Sequence, residues 1–259
     1  MPFRNSHGLE YYYFDIFPKS LIQGVFTRSG GVSPKPWDTL NLGGTVGDAP
    51  ENVNENRARL FKAIDRPEES IFDTWQVHGN KVICAASPRN LNLPHQKADA
   101  IITNLPDVTI LMRFADCTPI LLYDPVLKVF GMAHAGWSGT LKKVTAKAVY
   151  KMTSMYGCNP KDILAGLGPS ICVDHYEVGA DVSTLAKSMF ESKYERVVVR
   201  TNGKTHFNLW EANKLILEEA GIREIQVSGE CTACHSKKWY SHRAENGETG
   251  RFAAVMALK

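Results

Sequence analysis

The chain has 259 residues, 44% apolar and 22% charged, a composition typical of a globular protein with a sizeable core. Its net charge of +3 is small, and its lysines and arginines are scattered among acidic residues, which argues against nucleic acid as a partner. No apolar stretch approaches the length that a bilayer requires, so we expect no membrane partner either.

The N-terminal segment and the cysteines indicate the compartment. The first residues carry no apolar h-region and no small-residue cleavage site, so secretion is not expected. The six cysteines are spread over a long chain and suit free thiols better than a disulfide framework. We therefore expect a cytoplasmic protein. Because no linker or repeat divides the chain, we also expect one domain over residues 1–259.

The first half of the chain is predicted to contain a long loop, one helix and two strands. Residues 26–44 are rich in glycine and proline, which is typical of a functional loop. A proline at the first helical position and apolar residues at helical spacing predict a helix from about Pro50 to Ile64. Strands are predicted at Ile71–Val77 and Lys81–Ala85, with His78 in the turn between them.

A β-hairpin with its turn after Tyr123 is predicted from residues 116–133. If Tyr123 pairs with Lys128, counting back along both strands places Cys117 directly opposite His134. Opposed side chains lie roughly 5 Å apart. The thiolate and the imidazole would then bind one metal ion or form a nucleophile pair. A register shift of one residue would place them on opposite faces of the sheet.

The second half mixes helices and strands without a strict βαβ repeat. One helix is predicted to begin near Thr140 and to stop at Gly157. The further predicted elements are strands at Ile163–Leu167, Arg196–Arg200, Ile222–Val227, Trp239–His242 and Phe252–Leu258, and helices at Glu177–Met189 and Leu209–Ala220. This order favours an α+β fold with mixed sheets over a doubly wound parallel sheet.

A catalytic zinc site has three protein ligands and one open position, so Cys117 and His134 require a third ligand. His78 is the best candidate, because a side chain at a turn can project past the end of a sheet. Spacing alone does not choose between it and the other histidines, which include His95, His175, His206, His235 and His242. The plainer interpretation is a hydrogen-bonded turn histidine and a buried cysteine that packs as a small apolar residue.

An anion site is predicted after His134, where residues 135–140 lead into the amino end of a lysine-rich helix. A tight connection whose glycines serve only backbone geometry is the alternative. Arg28, Arg243 and Arg251 lie near glycines or strand starts, where arginine can bind phosphate or carboxylate through two hydrogen bonds. Asp116 is expected to point away from Cys117 in an extended strand.

Cys231, Cys234 and His235 match the Cys-x-x-Cys-His pattern of haem attachment. We reject haem, because the chain shows no export signal and no axial-ligand context. A redox pair is weakly supported, since no helix is evident at the motif. A structural zinc would require two further ligands; His242 is one candidate, but the sequence offers no matching second pair.

Short motifs along nearly the whole chain resemble the YfiH-like family, also called the polyphenol oxidase or laccase-domain family. These motifs are residues 27–33 (TRSGGVS), 41–43 (NLG), 76–79 (QVHG), 98–100 (ADA), 115–119 (ADCTP), 134–137 (HAGW), 168–171 (GPSI), 176–179 (YEVG), 231–232 (CT) and 249–254 (TGRFAA). No single motif is specific, but their order and number are.

The resemblance implies one α+β domain in which mixed β-sheets pack against each other and are flanked by helices. It also implies a zinc ion held by His78, Cys117 and His134, with copper as the older attribution. The implied activity is phosphorolysis of adenosine, inosine and methylthioadenosine, with adenosine deamination in addition. Nucleoside and phosphate are then the partners. The sequence does not distinguish a monomer from a homodimer.

One position departs from the family, which commonly has arginine where this chain has Ser138. A positive charge is therefore missing beside the predicted anion site, although the serine hydroxyl can still donate to phosphate. Our candidate substrate-binding residues are Arg28, Asn41, Ser138 and Arg251. Three alternatives remain at this point: a metal-independent Cys-His hydrolase, a copper-dependent phenol oxidase and a metal-binding protein without turnover.

Overall fold

Two six-stranded β-sheets form the centre of the structure, a computed structural model that describes residues 2–259. The first sheet contains, in spatial order, β1 (Phe3–Ser6), β2 (Leu9–Tyr12), β3 (Leu21–Phe26), β14 (Phe252–Leu258), β7 (Thr109–Phe114) and β4 (Ile71–Phe72). The second contains β13 (Glu224–Val227), β10 (Leu164–Leu167), β8 (Thr118–Asp124), β9 (Val129–Ala135), β6 (Ala100–Thr103) and β5 (Val82–Cys84). A separate hairpin pairs β11 (Val198–Thr201) with β12 (Lys204–Phe207).

Both sheets are mixed. The pairs β4 with β7, β5 with β6, and β10 with β13 are parallel, whereas the other neighbours are antiparallel. The α+β class predicted from the sequence is therefore confirmed.

Helices cover the outer faces of the sheets. They are α1 (Pro50–Ala63), α2 (Trp137–Leu141), α3 (Val144–Tyr156), α4 (Ala180–Phe190), α5 (Tyr194–Val197) and α6 (Leu209–Glu219). Apolar residues of α1 pack with the outer face of the first sheet, and those of α3 and α6 pack with the outer face of the second. Within residues 2–259, every helix is too short or too polar to span a lipid bilayer.

Strand β9 shows how the sequence alternation builds these layers. Phe130 and Met132 belong to the core between the two sheets, whereas Val129 and Ala133 belong to the core under the helices. Because successive residues of a strand point to opposite faces, His134 falls on the side of Phe130 and Met132. The histidine therefore lies at the end of the layer between the sheets.

The predicted hairpin register is wrong by two positions. Asp124 pairs with Val129, and Pro119, not Cys117, lies opposite His134. The Asp124 carboxylate accepts hydrogen bonds from the backbone N–H groups that follow at positions 126 and 127, at 2.8 and 3.0 Å, so the loop begins one residue later than predicted. Side chains along a strand alternate between the two faces of the sheet, so a shift of two positions leaves Cys117 on the same face as Pro119 and therefore on the face of His134.

Other predicted boundaries also change. The strand predicted from Ile71 ends at Phe72, and the strand predicted at Trp239–His242 is absent although Trp239 is fully buried. The stretch predicted as a strand at Arg196–Arg200 begins as the short helix α5 before β11. The helix predicted near Thr140 is two helices, because Lys143 adopts a left-handed conformation with φ of 57°.

Candidate active site

Three side chains that are distant in sequence meet at one end of the layer between the sheets. His78 lies in the loop after β4, Cys117 lies directly before β8, and His134 lies near the end of β9. Their ligand atoms are all within 4.8 Å of one another. The imidazole rings of His78 and His134 have centroids 4.9 Å apart and meet edge to face. The three predicted metal ligands therefore lie in one cluster.

Asp99 orients His134. The residue precedes β6, its side chain is fully buried, and its Oδ1 lies 2.9 Å from His134 Nδ1. The backbone N–H of His134 also donates to the carbonyl oxygen of Asp99, at 2.8 Å. With Nδ1 engaged by the carboxylate, Nε2 is the ring nitrogen left for a metal ion or for Cys117.

The same carboxylate holds the turn that presents His78. Asp99 accepts hydrogen bonds from the backbone N–H groups of Val77, His78 and Gly79, at 3.2, 2.9 and 2.8 Å. His78 has a φ of 55°, a conformation that non-glycine residues adopt rarely. Burial acts to raise the pKa of Asp99, but the hydrogen bonds from His134 and these N–H groups outweigh it and lower the pKa. One ionised carboxylate thus positions both histidines.

Cys117 and His134 stabilise each other's charged forms. Burial raises the pKa of the Cys117 thiol, but the positive charge of His134 opposes it and the pKa falls to about 6. Burial lowers the pKa of His134, but the Cys117 thiolate and Asp99 raise it to about 9. Both shifts favour the charged pair, a thiolate beside an imidazolium, over the neutral pair. Binding of a metal ion would release the imidazolium proton.

Gly136 leaves space for the thiol. A Cβ atom at this position would lie 2.5 Å from Cys117 Sγ, a distance that no side chain tolerates. The glycine in the predicted anion loop therefore serves the cluster. The amino end of the helix that follows is a weaker anion site than the sequence predicts, because α2 has only five residues.

The donor set fits zinc. One thiolate and two imidazoles are three of the ligands that zinc prefers, and a site with three protein ligands keeps a fourth position for water or substrate. His78 is exposed, whereas His134 is 4% exposed, so the cluster has one open side. Imidazole and thiolate are also ligands that suit copper.

The open side faces a cavity of about 590 Å³, which is large enough for a nucleoside with an anion. All three members of the cluster line it. The wall combines aromatic, cationic and loop residues that include Leu42, Gly43, Arg57, Trp75, Arg89, Arg113, Phe114, His242 and Arg251. The indole of Trp75 is 49% exposed and offers a flat apolar surface to a ligand.

One buried carboxylate neutralises part of the cationic wall. Asp73 Oδ1 accepts from Arg89 Nε at 2.6 Å and its Oδ2 accepts from Arg113 Nη2 at 2.8 Å, and His95 Nε2 lies 3.1 Å from the same Oδ2. Burial acts to raise the pKa of Asp73, but these partners lower it strongly. Two guanidinium groups on one carboxylate leave a net positive charge beside the cavity.

Arg251 is the cavity arginine without an acidic partner among residues 2–259. Its Nη1 donates only to the carbonyl oxygens of Thr249 and Gly250, at 3.2 and 2.8 Å. Burial lowers the pKa of its guanidinium, while the negative charges of Asp116 and Cys117 counteract the shift. A cation held by carbonyl groups and facing a cavity can bind an anion.

The other predicted substrate-binding residues lie elsewhere. Arg28 is 8% exposed, lines a different cavity, and donates to Glu245 at 2.8 Å. Asn41 is fully buried, and its Oδ1 accepts from the backbone N–H of Arg251 at 2.9 Å, so it supports that loop. Ser138 Oγ donates to the carbonyl oxygen of His78 at 3.0 Å and therefore supports the turn below the cluster.

Asp99, Asp73 and Arg113 build much of the site, but none of them was predicted from the sequence to have a role in it. Asp99 lies directly before an apolar strand and has buried neighbours, a position where an unpaired carboxylate would be costly. That position is the sequence signal from which a role for Asp99 could have been predicted.

Asp116 accepts from Thr232 Oγ1 at 2.5 Å and from the backbone N–H of Arg243 at 2.9 Å. It bonds these groups and is not a member of the metal cluster.

Comparison with known proteins gives one consistent result. A family model described as multi-copper polyphenol oxidoreductase laccase matches residues 22–259. A purine nucleoside phosphorylase of Deinococcus radiodurans is 39% identical over 232 residues, covering 90% of this chain and 87% of the relative. The purine nucleoside phosphorylase YlmD of Bacillus subtilis is 34% identical over 249 residues, covering 93% and 90%.

Solved structures agree in fold. The YfiH protein of Bacillus licheniformis superimposes with a TM-score of 0.93 at 29% identity, covering 100% of this chain and 99% of the other. YlmD from Geobacillus stearothermophilus gives the same TM-score, identity and coverage. The mixed two-sheet architecture is therefore shared with these proteins over the full length of the chain.

Proposed function

Because the chain belongs to the YfiH-like family, whose model carries the laccase description, we propose that it is a zinc-dependent purine nucleoside phosphorylase. The substrates we propose are adenosine, inosine and methylthioadenosine, with adenosine deamination as a side activity. The observation that carries the proposal is the His78, Cys117 and His134 cluster, which opens into a cavity that is also lined by Arg251, an arginine with no acidic partner among residues 2–259. We further propose that residues 1–259 act as one catalytic domain in the cytoplasm.

In phosphorolysis, an oxygen of inorganic phosphate attacks C1′ of the ribose while the bond from C1′ to the purine nitrogen breaks. The products are ribose 1-phosphate and the free base, which takes up one proton. Arg251 would hold the phosphate, since its charge lacks a carboxylate partner. Arg113, fixed by Asp73, would add positive potential where the dianion enters.

The purine would stack on Trp75 at the mouth of the cavity, next to the ring of Phe114. His242 also lines the cavity, and its side chain makes no hydrogen bond among residues 2–259, so it is the histidine free to deliver a proton to the departing base. His242→Gln should lower phosphorolysis, while binding of zinc stays unchanged.

The cluster residues would hold the metal through His78, Cys117 and His134 Nε2. When bound, zinc supplies a Lewis acid and activates water near neutral pH. Deamination would then replace the 6-amino group of adenosine by oxygen and release ammonia. Asp99 keeps both histidines in place for either reaction.

The decisive experiment is product identification with purified protein of known metal content. Adenosine, inosine and methylthioadenosine are each incubated with and without phosphate, and free base, ribose phosphate and ammonia are measured. We expect free base and sugar phosphate only when phosphate is present. Full zinc occupancy with no product from any nucleoside would contradict the proposal and favour a binding protein without turnover.

Arg251→Gln separates the two activities. If Arg251 binds phosphate, the variant should raise the KM for phosphate by roughly tenfold or more, the factor equivalent to about 1.4 kcal/mol of lost binding. Deamination of adenosine, which uses no phosphate, should continue. Arg59→Gln is the matched control, because Arg59 is exposed on α1 and pairs only with Glu55 and a backbone carbonyl.

One observation favours a second candidate. The thiol of Cys117 lies within 4.8 Å of the ligand nitrogen of His134, and a thiol beside an imidazole is the arrangement of a metal-independent cysteine hydrolase. Removing the metal with a chelator distinguishes the two, because a Cys-His hydrolase would keep its activity whereas a zinc enzyme would lose it. Reconstitution with copper and assay with a phenol tests the oxidase that the family description names.

A further inference from the structure

A second cluster of metal-ligating side chains lies outside the cavity. Cys172, His175, Cys231 and Cys234 have ligand atoms that are all within 4.8 Å of one another. His175 Nδ1 is 3.3 Å from Cys172 Sγ, 3.5 Å from Cys234 Sγ and 4.0 Å from Cys231 Sγ. Three sulfur atoms and one ring nitrogen therefore surround a common point.

The fold brings the two pairs together through parallel strand pairing. Strands β10 and β13 are parallel neighbours, so their carboxyl ends lie at the same edge of the second sheet. Cys172 and His175 follow β10, and Cys231 and Cys234 follow β13. A bridge between Ser170 and Cys231 continues the pairing beyond the strands. Neither pair can form the cluster alone.

The distances from the ring nitrogen to the three sulfur atoms match tetrahedral zinc. With bonds of about 2.3 Å to sulfur and 2.0 Å to nitrogen, tetrahedral geometry separates a sulfur and a nitrogen ligand by roughly 3.5 Å. The three observed separations, 3.3, 3.5 and 4.0 Å, lie around this value. The spacing of two residues within each pair is also typical of structural zinc sites.

Backbone donors point at the most buried sulfur. Cys231 is 4% exposed, and its Sγ accepts hydrogen bonds from the backbone N–H groups of Cys172 and Cys234, at 3.3 and 3.4 Å. Such donors stabilise a thiolate, the form of cysteine that binds metal. His235, the third member of the haem pattern, turns instead toward Glu230, 3.4 Å away, and is no part of the cluster.

We propose that Cys172, His175, Cys231 and Cys234 bind one zinc ion as a closed structural site, separate from the cluster in the cavity. Binding converts three thiols to thiolates, releases three protons to solvent and leaves four protein ligands with no open position. The ion ties the segment after β10 to the segment after β13.

This site would also support the wall of the active site. Thr232, between the two cysteines, donates to Asp116, the residue before Cys117. Arg243 donates to the carbonyl oxygen of His175 at 3.2 Å, and its own backbone N–H donates to Asp116 at 2.9 Å. A fixed second cluster therefore limits the movement of the segment that presents Cys117.

The test is zinc stoichiometry of the full chain, measured by plasma mass spectrometry after reconstitution and gel filtration. We expect two zinc ions per chain in the wild type, and one each in Cys117→Ala, Cys172→Ser and Cys234→Ser. Cys84→Ser is the matched control, because Cys84 belongs to neither cluster, and it should keep two. A wild type with a single zinc, removed by Cys117→Ala, would overturn the proposal.

Cobalt gives a readout that needs no substitution within the second cluster. In Cys117→Ala loaded with cobalt, the remaining site should show the tetrahedral visible bands and the strong thiolate charge-transfer band of three sulfur ligands. Their absence would overturn the proposal. A disulfide between any two of Cys172, Cys231 and Cys234 in the protein purified under reducing conditions, seen as a mass two hydrogens lower, would also overturn it.

Discussion

The two cysteine and histidine clusters differ in the number of ligands and in what surrounds them. The cluster of His78, Cys117 and His134 has three donors and one side open to a large cavity, whereas the second cluster has four donors, none of which lines that cavity. An open position allows chemistry, and a closed shell provides stability. We therefore propose different purposes for the two clusters of the same residue types, and the number of ligands and access to the cavity distinguish them.

The largest expected effect is the loss of catalysis without the loss of the fold. His78→Ala, Cys117→Ala and His134→Ala should each lose most turnover and the zinc of the cavity cluster, because two ligands hold the ion poorly. Circular dichroism should remain that of the wild type. If any of the three variants keeps the full zinc content, that residue is not a ligand.

Asp99→Asn should weaken the cavity cluster alone. The amide can no longer neutralise His134 or accept equally from three backbone N–H groups. Loss of such a supporting residue typically lowers metal affinity or activity by about 10–100-fold, and we expect a loss of about that size here. Zinc affinity and kcat are the measurements. Asp107→Asn, at an exposed position, is the control and should change neither.

Gly136→Ala tests the space around Cys117. The added methyl group would overlap Sγ, so the thiol must move, at a cost of about 1–3 kcal/mol. We expect lower zinc affinity in the cavity cluster and an unchanged second cluster. Gly44→Ala, where nothing lies within 4 Å of the added atom, is the matched control at the cavity wall. Equal zinc affinity in both variants would show that the contact does not matter.

Cys234→Ser should change stability more than chemistry. Loss of one ligand weakens the closed site, so the Tm should fall, by about 2–4 °C for each kcal/mol in a chain of this size. Turnover at low temperature should fall less than in Cys117→Ala. Differential scanning calorimetry provides the measurement, with Cys84→Ser as control. A Tm equal to that of the wild type would argue against a stabilising role.

The smallest expected effect concerns Asp73 and its dependence on pH. Its pKa in the folded protein is lower than its ordinary value of 3.8, so its ion pairs stabilise the fold above that pH and lose this contribution as the pH falls below it. Asp73→Asn should reduce the free energy of unfolding at pH 7 by about 1–3 kcal/mol. Denaturant titrations should show the difference shrinking below pH 3.8, and a constant difference would contradict the assignment.

Local rules predicted much of the fold. The helix expected from Pro50 ends at Ala63, one residue before the predicted end, because its first-turn proline and apolar spacing are local signals. The strand expected at Phe252–Leu258 has those bounds. Trp239, in contrast, is buried without being in a strand, since an apolar residue can fill the core from a loop.

The sequence by itself determined the residue types of the cavity cluster and the face of the hairpin on which two of them lie, because side-chain alternation survives a register error of two residues. The family motifs added His78. Only the tertiary structure decided the pairing of Asp124 with Val129, since a side chain of the loop itself sets where the strands separate. Only the tertiary structure joined Cys172 and His175 to Cys231 and Cys234, because parallel pairing of β10 with β13 unites segments that are 59 residues apart in the chain and share no local signal.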